Sequence, residues 1–140
     1  MRATSTATVN VPITRAWEVL ADHAGMSKWG PITATVEKPG APERDGVGAV
    51  RRIAAPGPAP AIVEEITAFD APTRLGYKAL AGVPFKDYSG EVVLSPAGDG
   101  TLVEWTLTAR SRIPLVEQAA LKAVSVALLK AYTGYLKKRA

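Results

Sequence analysis

Two pairs of adjacent like charges, Arg51-Arg52 and Glu64-Glu65, stand within segments rich in Val, Ile and Ala. Along a strand, successive side chains point to opposite faces, so neither pair can lie wholly in solvent. Ile53 shares a face with Arg51, and Ile66 shares one with Glu64, which predicts Arg51 and Glu64 as the inward members. Register carries this argument, since a slip of one residue exchanges the faces. Buried charges need partners. Either the two groups satisfy one another, or they form a polar spot on the wall of a wet cavity. Burial raises a carboxyl pKa and a nearby arginine lowers it. A glutamate balanced between those effects could take a proton next to a carbonyl.

Other chemistries find little support. There is no cysteine, hence no thiol nucleophile, disulfide framework or thiolate metal site. The one histidine, His23, follows a short helical stretch and is expected at the surface or as a cap. One histidine without a carboxylate cluster makes no metal site, so no metal is expected. Gly46-Val47-Gly48 opens a strand rather than a helix, so the dinucleotide-binding reading fails on context. No cofactor is expected. Inward aromatics are expected at Tyr77 (with Leu75 and Ala79), Tyr88 (with Gly90, Val92 and Leu94) and Trp105 (with Val103, Leu107 and Ala109). Each brings bulk and a hydrogen-bonding group, as packed core or as cavity wall.

The elements that position these residues follow from periodicity. Alternation predicts a strand over 2–11, stopped by Pro12. Ile13, Ala16, Trp17 and Leu20 have helical spacing, and a second short helical turn is expected within 22–30. Strands are predicted over 32–37, 47–54, 61–69, 74–80, 86–95 and 101–110, divided by Pro- and Gly-rich turns. Pro114 opens a helix over 115–138 with Leu121, Val124, Leu128, Tyr132 and Tyr135 on one stripe. Ala119, Ala120, Ala123, Ala127 and Ala131 lie beside it and permit either close packing or a hollow. The sum is one α+β domain over residues 1–140: a curved antiparallel meander gripping a long C-terminal helix, with two short helices after the first strand.

With 140 residues and a hydrophobic fraction of 47%, the chain reads as a globular domain. The net charge is +4, but only Lys137-Lys138-Arg139 forms a basic run, which reads as a solvated helix end rather than a nucleic-acid surface. No apolar run is long enough to span a bilayer, and residues 1–6 lack a signal-peptide core, so a cytoplasmic setting without integral membrane association is expected. An exposed edge strand can pair with a second copy, leaving monomer and homodimer both open.

The stretch Val9-Asn10-Val11-Pro12 … Trp17-Glu18-Val19-Leu20-Ala21-Asp22 … Trp29-Gly30-Pro31 resembles the START/birch-allergen-like superfamily. More narrowly it resembles the bacterial polyketide cyclase/dehydrase and lipid-transport group. Residues 46–51, Glu64-Glu65-Ile66-Thr67, Arg74-Leu75-Gly76-Tyr77 and 100–105 continue the likeness, which covers essentially the whole chain. It implies a helix-grip fold: seven strands around the C-terminal helix, with a cavity between them.

The plant abscisic-acid receptors are similar in the middle of the chain. Their Val-Gly-Ser-x-Arg strand corresponds to Val47-Gly48-Ala49-Val50-Arg51, and their gate loop falls at Pro56-Gly57-Pro58-Ala59-Pro60. Their cavity glutamate and tyrosine fall on Glu64 and Tyr88. Val83-Pro84-Phe85 replaces their latch, and 32–37 lacks their anchoring lysine, so hormone sensing does not carry over.

The resemblance implies carriage of a small hydrophobic, lipid- or polyketide-like ligand. The implied lining is Trp29, Arg51, Ile53, Glu64, Tyr77, Tyr88, Trp105, Leu107, Val124, Leu128 and Tyr132, with gate loops at Gly57, Pro58 and Ala59 and at Val83 and Pro84. An alternative is a cyclase- or dehydratase-type enzyme with Glu64 as acid/base and Arg51 or Tyr88 holding an enolate oxygen. A co-chaperone-like interaction module with a filled interior is a further alternative.

Overall fold

The computed structural model describes residues 1–110 and 114–139. Strand β1 (Arg2–Val9) leads into helix α1 (Ile13–Ala21) and a 3-10 helix over Ala24–Lys28. Then come β2 (Thr33–Lys38), β3 (Val50–Ala54), β4 (Ile62–Asp70), β5 (Arg74–Ala81), β6 (Lys86–Ala97) and β7 (Gly100–Arg110), and finally α2 (Pro114–Arg139). All seven strands form one antiparallel sheet in the order β1-β7-β6-β5-β4-β3-β2. Antiparallel connections, longer between β2, β3 and β4 and short from β4 on, keep β2 to β7 as sequential neighbours. The helical segment after β1 carries the chain to the opposite edge of the sheet. This is the expected α+β helix-grip architecture.

Boundaries differ where glycine intervenes. The strand expected from Val47 starts at Val50, because Gly48 adopts φ +90° and turns the chain. Gly48 and Ala49 still exchange backbone hydrogen bonds with Ile66 across that turn. Within the sheet, Arg51 stands opposite Glu64 and Ile53 opposite Ile62. Register shifts in the β4–β5 pairing lie at Val63/Glu64 and again between Ile66 and Ala68. Such irregularities bend a strand and increase its twist. Tyr77 stands opposite Gly90, where an added Cβ would collide with the tyrosine ring, so glycine there lets Tyr77 lie across β6.

Helix α1 buries Ala16, Trp17, Val19 and Leu20, and Trp17 meets Phe69 edge-on at 5.1 Å. Helix α2 buries Leu121, Ser125, Leu129, Tyr132, Thr133 and Leu136. This face is rotated from the expected stripe: Val124, Leu128 and Tyr135 are only half-buried, Ala119, Ala120, Ala123 and Ala127 are exposed, and Ala131 is half-buried. Polar anchors explain the rotation. Gln118 Nε2 donates to the Arg2 carbonyl at 2.7 Å, the Lys122 ammonium donates to the Thr4 carbonyl, and Ser5 and Ser125 share a buried hydrogen bond of 2.6 Å. The first two bonds occupy carbonyls of the edge strand β1, the third joins two hydroxyls, and together they draw α2 over β1 and β7. The Tyr132 hydroxyl donates to the Ala16 carbonyl at 2.6 Å and ties α2 to α1. The helix therefore lies toward the β1–β7 side of the grip, away from β3 and β4.

Candidate functional site

The interior holds two dissimilar regions. The first is built around Arg51 and Glu64, 3% and 5% exposed. Arg51 Nε and Nη2 each lie 2.8 Å from Glu64 Oε1. Arg51 Nη1 lies 3.2 Å from His23 Nδ1, and the guanidinium sits 4.9 Å over the Tyr77 ring. Arginine has only donors, so His23 Nδ1 must accept. Its Nε2 then bears the proton and donates to the Asp45 carbonyl at 2.7 Å. The imidazole is thus neutral, and burial, followed by the Arg51 charge, lowers its pKa to about 4. His23 does stand at the N-cap position of the 3-10 helix, but its side chain makes no capping bond, and the expectation of a surface residue is corrected: it is fully buried and spans Arg51 and the loop before β3.

Aromatic groups complete this region. Trp105 Nε1 donates to the Tyr77 hydroxyl at 3.1 Å. Burial raises the Tyr77 pKa well above its usual value and that of Tyr88 to about 12, so both phenols stay protonated near neutrality. Tyr88 stacks on Phe85 with centroids 5.9 Å apart. Trp29, Trp105 and Tyr132 form a triangle with centroids 5.2 to 6.4 Å apart. Packing of this kind leaves little space, and its main polar groups are engaged with one another.

The second region is a cavity of about 400 Å³, open to solvent on one side, between α2 and the β3–β4 end of the sheet. Val124, Ala127, Leu128 and Ala131 line it from α2, Ile53 and Ile62 from the sheet, and Met26, Trp29 and Ile32 from the 3-10 helix and the segment after it. Ala55, Ala59, Pro60 and Gly82 form its rim. Gly82 has φ +88°, and a Cβ there would collide with the Ala61 carbonyl, so the two rim loops approach closely only because residue 82 is glycine.

Of the expected site residues, Trp29, Ile53, Val124, Leu128 and Ala59 line this cavity. Arg51, Glu64, Tyr77, Tyr88, Trp105, Leu107 and Tyr132 are buried but absent from its lining, because they fill the adjoining part of the concave face themselves. Gly57 and Pro58 are exposed at the outer part of their loop. Val83 is half-buried against the core, and Pro84 lies beside it; neither lines the cavity. Ala127 and Ala131, two of the alanines that permitted a hollow, line it too, whereas Met26, Ile32, Ala55 and Ile62 were not anticipated. The signal for Ile62 was available, since it shares strand parity with Glu64.

Among the described residues, no group of three or more His, Asp or Glu side chains could hold a metal ion. Among the same residues, no helix is long and apolar enough to cross a membrane.

A sequence model of the family described as polyketide cyclase/dehydrase and lipid transport matches residues 1–139. No curated protein sequence matches the chain. Solved structures with the same fold include TTHA0849 from Thermus thermophilus, at 20% identity and TM-score 0.77, covering 100% of this chain and 99% of that one. A START superfamily protein from Mycobacterium smegmatis aligns at 15% identity and TM-score 0.77, covering 99% and 95% of the two chains. Ara h 8.0201 aligns at 18% identity and TM-score 0.75, covering 99% and 98%.

Proposed function

The chain belongs to the polyketide cyclase/dehydrase and lipid-transport family, and from that premise we propose that residues 1–140 act as one helix-grip domain that binds and carries a small hydrophobic molecule. The observation that supports this is the cavity of about 400 Å³, whose lining residues include no charged side chain. Its size lies within the range of ligand sites, which are mostly apolar with few polar groups. The lining is an apolar surface open to solvent, and an apolar occupant would remove it from water, which is favourable.

The geometry does not favour the enzymatic alternative. Two Arg51 nitrogens engage one oxygen of Glu64, and Glu64 is not part of the cavity lining. A general base must come within hydrogen-bonding reach of the proton it removes. An interaction module with a filled interior agrees less well with the hollow beside α2.

Fluorescence titration with the neutral dye N-phenyl-1-naphthylamine tests the reading. Wild-type protein should enhance dye emission saturably. Val124→Phe places a larger ring in the cavity and should weaken binding by about tenfold or more, with the fold intact by circular dichroism. Equal titrations for the two proteins, or no binding by wild type, would overturn it.

A further inference from the structure

We infer that the occupant of this cavity is an amphiphile that enters tail first. Its apolar tail fills the cavity and its polar head stays in water at the mouth, so the site reads the tail and not the head. The inference rests on the cavity reading above and narrows it to a ligand class and an orientation.

The lining is graded from the mouth inward. Ala55, Ala59 and Pro60 on one lip and Ala127 on the other are exposed. Ile53 and Leu128 are half-buried, and Met26 is only 3% exposed. The mouth therefore lies between the β3–β4 loop and α2, with Met26 at the inner end.

The interior offers a polar group no side-chain partner. Among the described lining residues the one side chain able to donate is the Trp29 indole, and its Nε1 is itself buried from water, so it is closed to an occupant as well. The nearby polar groups lie off the lining and are engaged: Arg51 by Glu64 and His23, Trp105 Nε1 by Tyr77, and the Tyr132 hydroxyl by the Ala16 carbonyl. A charged or hydrogen-bonding group drawn inside would lose its hydration without compensation from any of these.

The mouth sets the converse condition. An occupant's outer end remains in water there, and a molecule apolar throughout would keep apolar surface exposed at that end, whereas an amphiphile would not. The chain around the opening does not select the head by charge, since residues 53–63, 79–85 and 123–129 include no Asp, Glu, Lys or Arg. Recognition therefore rests on tail length and shape.

Competition against N-phenyl-1-naphthylamine tests this, in about 0.15 M salt to screen the net charge and below each compound's micelle concentration. Dodecanoate, dodecyltrimethylammonium and dodecyl maltoside carry anionic, cationic and neutral heads and should displace the dye within about fivefold of one another. Octyltrimethylammonium should bind at least about tenfold more weakly than its dodecyl counterpart. Val124→Phe should weaken all three dodecyl compounds alike. In NMR spectra of the wild type, the nitroxide head of TEMPO laurate should broaden the Ala59 methyl resonance more than that of Met26. A head preference beyond about fivefold, indifference to tail length, displacement untouched by Val124→Phe, or stronger broadening at Met26 would overturn the inference while saturable dye binding still upheld the cavity. Failure of the dye and of every amphiphile to bind would overturn the cavity reading and this inference with it.

Discussion

Arg51 and Ile53 sit two residues apart on the same face of β3, yet they belong to different regions. Arg51 enters a packed cluster in which Glu64, His23 and Tyr77 occupy its guanidinium. Ile53 faces a hollow whose far wall is α2. The difference arises from where the helix lies. Bonds from Gln118, Lys122 and Ser125 hold α2 toward β1, so Trp105 of β7 meets Tyr132 of α2 while β3 and β4 end short of the helix. Polar residues inside a grip fold therefore need not mark the ligand. Here they brace the wall beside the cavity.

The contrast can be broken most severely at Glu64. Glu64→Ala leaves the Arg51 charge buried without its partner and should cost about 3–5 kcal/mol of stability, read from the urea midpoint. Dye affinity of the folded fraction should stay within about twofold, because Glu64 lies off the cavity. A cost near zero would mean that the pair is not sealed from water; a large affinity loss would merge the two regions.

Protonation of His23 comes next. Its folded pKa, about 4, lies below the ordinary 6.5, so the unfolded chain binds more protons between those values. Stability should thus rise with pH across that window and flatten above it. The acid-side loss approaches about 3 kcal/mol once pH falls below 4. Asp45, whose pKa burial raises, contributes with the opposite sign. His23→Asn keeps an acceptor for Arg51 and should remove the acid-side loss between pH 6.5 and about 4. An unchanged pH profile would place the titrating group elsewhere.

The smallest effect belongs to the cavity. Leu128 already borders empty space, so Leu128→Ala should cost less than about 2 kcal/mol, below the roughly 2–5 kcal/mol of a fully packed leucine. It should alter dye affinity, whereas Glu64→Ala should not. A cost in the packed range would show that this wall has no hollow behind it.

Much of the architecture was legible from short-range rules. Alternation placed the strands, Pro12 and Pro114 marked helix starts, and like-charged neighbours revealed which of Arg51-Arg52 and Glu64-Glu65 turn inward. The lining was less legible. Trp29, Ile53, Val124 and Leu128 were foreseen, but Met26 and Ile32 lie on a 3-10 helix and at a loop end, where no periodicity singles them out. His23 was misjudged because nothing near it in sequence shows that Arg51, 28 residues away, lies against its ring.

By itself the sequence determined which side chains could share a face, since alternation and helical spacing are local properties of the backbone. It also determined that two opposite charges had to leave solvent. Only the tertiary structure decided that those charges would meet each other and a histidine, and that the open space would lie one step along the strand. Those outcomes depend on the docking of α2, which is set by side chains reaching across more than a hundred residues to the edge of β1.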